Sequence, residues 1–112
     1  MTFRYRIFGI VREAGSNRPL PGLLVRAFDK DLLIDDDLGS SLTAENGRFE
    51  IQFTEMKFWE VFGRVFEGRP DLYFRVVDPH TSREIFSTKD NVIREAKGDA
   101  DVAIEIPSAR LG

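Results

Sequence analysis

Five aspartates fall within nine residues of this chain, Asp29, Asp31, Asp35, Asp36 and Asp37 in the stretch DKDLLIDDDLG. Hard divalent cations such as Ca²⁺ take several oxygen ligands from carboxylates and carbonyls, and these five, with Glu45 or Asp78 from a neighbouring loop, carry that donor chemistry. The spacing is not that of an EF-hand, which needs a glycine at its sixth position and a bidentate Glu at its end. The competing reading is a solvated acidic loop whose self-repulsion is offset by Arg4, Arg6 or Arg26 across the surface.

Other reactive constellations are sparse. His80 stands in the turn-forming run Asp78-Pro79-His80-Thr81-Ser82, with no second ligand at metal spacing and no nucleophile beside it. Ser40-Ser41 lacks the Gly-x-Ser-x-Gly setting of a nucleophile elbow. There is no glycine-rich phosphate loop and no His-Glu-x-x-His motif. Paired carboxylates without an expected cleft do not make a glycosidase. With no cysteine in the chain, disulfides, thiol chemistry and thiolate metal sites are excluded together. No catalytic role is expected.

A second candidate is a surface rather than a reaction centre. From Thr54 to Phe66 (TEMKFWEVFGRVF) the residues Phe58, Phe62, Val65 and Phe66 recur at helical spacing, with Thr54 as N-cap and Gly68 and Pro70 as terminators. The apolar side is wide, and Met56 and Trp59 form its shoulder. Trp is enriched at interface hot spots, so Met56 and Trp59 are the expected partner-binding residues. The alternative is that the helix plugs the end of the fold and Trp59 is core.

The elements that must position these residues are strands. Phe49, Ile51 and Phe53 alternate with Arg48, Glu50 and Gln52 directly after Asn46-Gly47, which reads as the second arm of a hairpin. Phe3–Val11, Leu23–Asp29, Ser40–Ala44, Asp71–Asp78, Glu84–Ser87 and Ala100–Ile106 supply six more strands. Leu24 and Phe28 on the second face of Leu23–Asp29 indicate a strand covered on both sides or partly by a loop. Gly9 marks a bulge or a close approach. Glu13–Gly22, with Pro19 and Pro21, is a loop. Arg4 and Arg6 are expected near a sheet edge, where they would blunt pairing between protomers.

Size and charge bound the remainder. A chain of 112 residues, 42% of them hydrophobic, supports one core and one domain over residues 1–112. A net charge of -3 offers a phosphate backbone no attraction, so nucleic acid is not an expected partner. The apolar run Ile7–Val11 is too short for a signal-peptide core, and no stretch approaches a bilayer span. A soluble protein or excised domain is expected.

Several of these motifs occur together in one known family. Gly9-x-Val11, Pro19-Leu20-Pro21-Gly22-x-x-Val25-x-Ala27-x-Asp29, Thr43-x-x-x-Gly47-x-Phe49-x-Ile51 and Pro70-Asp71-Leu72-Tyr73-Phe74-x-Val76 resemble the transthyretin-like and carboxypeptidase-regulatory-like domains. The resemblance implies an all-β, seven-stranded Greek-key sandwich of prealbumin type, here with one helix inserted between the fourth and fifth strands. It implies a non-catalytic interaction or adaptor module, joined to or binding a protein partner. The 5-hydroxyisourate hydrolase of that superfamily needs several histidines and a Tyr-Arg-Gly-Ser ending, whereas this chain has His80 alone and ends Ala109-Arg110-Leu111-Gly112. The alternative expectation is a Ca²⁺-dependent ligand- or carbohydrate-binding module using the loop 29–37.

Overall fold

A computed structural model describes residues 2–30, 34–56, 60–61, 64–65, 70–94, 96 and 98–111. The chain runs β1 (Thr2–Glu13), β2 (Leu24–Asp29), β3 (Asp36–Leu42), β4 (Arg48–Met56), β5 (Glu60–Val61), β6 (Arg64–Val65), β7 (Leu72–Val77), β8 (Glu84–Ser87) and β9 (Asp99–Ile106), and ends in a 3-10 turn at Ser108–Arg110. Two main sheets form, ordered β4-β1-β9 and β3-β2-β7-β8, beside a small β5-β6 pair. The pairing of β1 with β9 is parallel; the others are antiparallel. Among the described residues the fold is all-β, as its period-two patterning requires.

The inward positions of both sheets meet in one core. Ile7, Val11, Ile51, Ile104 and Ile106 come from the three-stranded sheet, and Val25, Ala27, Leu72, Phe74 and Val76 from the four-stranded one. Phe49 and Phe74 join the layers edge to face, with ring centroids 6.1 Å apart. The loop after β1 is fastened to this core by Thr43. Its buried hydroxyl donates to the Leu20 carbonyl at 2.7 Å and accepts from the Leu23 N–H at 3.0 Å, so the Pro19-Leu20-Pro21-Gly22 run leaves neither backbone group orphaned.

Four sequence expectations change. The helix over Thr54 to Phe66 is absent at its described positions: Thr54, Glu55 and Met56 continue β4 against Arg4, Phe3 and Thr2, and Glu60–Val61 pairs with Arg64–Val65. Ladder partners offered by β1 outcompete an N-cap at Thr54, and Val61 and Val65 are natural strand residues. Phe58, Trp59, Phe62 and Phe66 lie outside the described residues.

The Asn46-Gly47 turn does not close a ladder-paired hairpin. Its two arms belong to different sheets, β3 to the larger and β4 to the smaller. Gly47 holds φ +77 and packs where a Cβ would lie 3.1 Å from Pro19 Cβ, so glycine is required for the close crossing. Thirdly, β3 begins at Asp36 rather than Ser40, which places Asp36 and Asp37 on a strand. Lastly, Arg4 and Arg6 sit on β1, the central strand of its sheet, and guard no edge.

Candidate functional site

The acidic residues are the natural starting point, and their surroundings are those of structural pairs. Asp29 ends β2 and accepts the Asp71 N–H at 2.9 Å. Asp35 accepts the Tyr73 hydroxyl at 2.5 Å and lies 3.2 Å from Lys89 Nζ. Asp37 takes Arg26 Nη2 at 2.9 Å and the Gly39 N–H at 2.9 Å. Asp36 faces Asp29 in the ladder register and is exposed. Asp31 lies outside the described residues. Among the described residues no three His, Asp or Glu side chains are arranged to hold a metal ion.

These pairs shape local charge. The Arg26 hydrogen bond holds the Asp37 carboxyl below its ordinary range, assisted by the Gly39 amide and against the effect of burial. Burial pushes the Tyr73 hydroxyl up, and donation to Asp35 pushes it further in the same direction, opposed by Arg75. At the first loop the Ser16 hydroxyl, donating to Glu13 at 2.5 Å, lowers that carboxyl, and Arg18 adds to the effect.

Tyr73 is fully buried although it points away from the core side of β7. Phe28 stacks on it at 5.2 Å, and the guanidinium groups of Arg26 and Arg75 lie 5.1 and 5.2 Å from the Phe28 ring centroid. Of the two coverings open to the second face of β2, the described residues show neither a second layer nor a loop at Phe28 but cations over an aromatic pair. His80 sits in an exposed turn, its N–H donating to Asp78 Oδ1 at 2.8 Å. Met56 ends β4 opposite Thr2, and Trp59 lies outside the described residues.

The feature with unused capacity is elsewhere. Opposite the side where β3 and β4 come together, β8 and β9 form, among the described residues, the free edges of the two sheets. Between them runs an open groove of about 640 Å³, lined on one side by Glu84–Thr88 and on the other by Ala103 and Glu105, with Arg110 also contributing. Ile85 and Phe86 supply apolar surface to it. Phe86 is the inward neighbour of Val76 and only half-buried. Within the expected strand Ala100–Ile106, the sequence sets Asp101, Ala103 and Glu105 in alternation with Ala100, Val102, Ile104 and Ile106, and the structure adds Asp99 to that face. What could not be read was that β9 would lie at an edge, since strand order depends on pairing rather than pattern.

No protein-family model matches the chain, and neither does any curated protein. Among solved structures, it is similar to a 9R-lipoxygenase from Cyanothece PCC8801, with a TM-score of 0.53 and 21% identity, over 92% of this chain and 17% of that one. The chain therefore spans about a sixth of the length of that lipoxygenase, and the likeness is one of fold. A second similar structure is the dioxygenase domain of a dioxygenase carbohydrate-binding protein fusion from Streptomyces sp. SirexAA-E, with a TM-score of 0.46 and 14% identity, over 93% of this chain and 80% of that one.

Proposed function

We propose that this chain is a non-catalytic interaction module of transthyretin-like, prealbumin type, a seven-stranded Greek-key sandwich that holds a protein partner or joins larger domains. Seven principal strands divided three and four between two sheets support the fold reading. The observation that carries the functional one is the groove between β8 and β9, flanked by two strand edges that pair with nothing among the described residues. Unpaired edges are templates for another chain, whereas Asp35 and Asp37 of the acidic segment are engaged in holding the fold.

Selection of extended peptides of about ten residues from a displayed library tests this reading, with the bound site mapped by amide chemical shifts. Enriched peptides are expected to perturb residues 84–88 and 101–105. Enrichment no greater than on an unrelated sandwich domain would contradict the proposal.

A further inference from the structure

The parallel ladder between β1 and β9 fixes which way each backbone group of β9 points. Arg6 N–H donates to the Gly98 carbonyl at 2.7 Å, and Ala14 N–H donates to the Ile106 carbonyl at 2.9 Å. With Arg6 opposite Asp99 and Arg12 opposite Glu105, the even-numbered residues of β9 turn their N–H and C=O groups toward β1. The odd-numbered residues, Asp99, Asp101, Ala103 and Glu105, turn theirs toward the open side. Their side chains are exposed on the outer face.

We infer that the open edge of β9 takes an extended segment of a partner chain, basic at alternate positions and apolar between them, as a fourth strand of the smaller sheet. This rests on the interaction-module reading and specifies its partner. Three observations converge on it. First, among the described residues the smaller sheet has one strand fewer than the larger: β8, with the half-buried Phe86 on its inner side, overhangs it across the groove. A strand added to β9 would cover that apolar surface. Second, β9 lacks the edge protections that would bar every partner, its acids deterring only a like-charged strand. Its eight residues contain no proline or lysine, and its register with β1 is unbroken, whereas β8 is four residues long and its register is interrupted.

The third observation is charge. Outward positions on an added strand would lie beside Asp99, Asp101 and Glu105. Glu105 is held by Arg12 at 2.8 Å and Asp99 lies 4.0 Å from Arg6, while Asp101 has no ion pair among the described residues. Asp90 and Glu84, the latter 3.6 Å from Arg75, add negative charge at the groove, against Arg110. Pairing two β9 edges from separate copies would oppose acid to acid, which is destabilising. Lysine or arginine at alternate positions of a partner reverses that sign.

The test uses the full chain and three synthetic peptides of about eight residues: alternating Lys and Val, alternating Glu and Val, and the Lys-Val peptide N-methylated at every second amide. Binding is followed by fluorescence anisotropy and by exchange of individual amides. The Lys-Val peptide is expected to slow exchange of the Asp101, Ala103 and Glu105 amides at least about tenfold, to bind less tightly as salt rises, and to lose affinity when N-methylated. Asp101→Lys, an exposed change remote from the core, is expected to weaken it about fivefold.

If only the Glu-Val peptide protects those amides, the inferred chemistry is wrong while the module reading stands. If protection appears without peptide and grows with protein concentration, the occupant is a second copy and the inference fails. If no peptide protects the edge, both the inference and the groove-based module reading fall.

Discussion

Gly9 and Phe49 are directly opposed across β1 and β4, and the aromatic ring lies where a Cβ on Gly9 would be, with the Val102 carbonyl oxygen 2.8 Å from the same point. The reason for the glycine is therefore close approach, one of the two meanings the sequence allowed. Gly9→Ala should cost about 2 kcal/mol through overpacking, read as a lower denaturant midpoint at unchanged slope. Tyr73 makes a different kind of prediction. Its folded value is raised, so the stability it contributes is complete below its ordinary value and is lost as pH rises through the folded one. Melting temperature should fall on the alkaline side above about pH 10, and Tyr73→Phe should flatten that fall. An unchanged alkaline limb in the variant would show that Tyr73 is not the group responsible.

At the scale of elements, the strands were largely legible and their neighbours were not. Alternation at Phe49, Ile51 and Phe53, and at Leu72, Phe74 and Val76, reports one buried face each, and all six are buried. Alternation says nothing about which strand lies beside which, so the turn at Asn46-Gly47 reads as a hairpin although its arms enter different sheets. Over residues 54–66 the helical spacing of Phe58, Phe62 and Val65 competes with the ladder that β1 extends to Met56, and at the described positions the ladder prevails. Composition marked the acidic segment as a cation site or a solvated loop. The structure turns Asp37 to Arg26, as the second alternative expected, and joins Asp35 to Tyr73 and Lys89. Adding millimolar Ca²⁺ to chelator-treated protein is therefore expected to leave the melting temperature unchanged. A rise with Ca²⁺ concentration would instead identify a native-state cation site by mass action.

The whole molecule is asymmetric in a way no single strand reveals. A three-stranded sheet faces a four-stranded one; on one side β3 and β4 come together, and on the other β8 and β9 leave a groove. The alternation along Ala100–Ile106 is readable in the sequence, but which of its faces is outward, and its place at an edge that pairs with nothing among the described residues, emerge only from the assembled topology. Among the described residues this edge of β9 pairs with nothing. Native-state amide exchange tests it residue by residue. The account predicts an alternating pattern along β9, with Val102 and Ile104 amides protected by β1 and those of Asp101, Ala103 and Glu105 exchanging rapidly. Uniform protection through residues 100–105 would mean that the edge is already covered, and would contradict it.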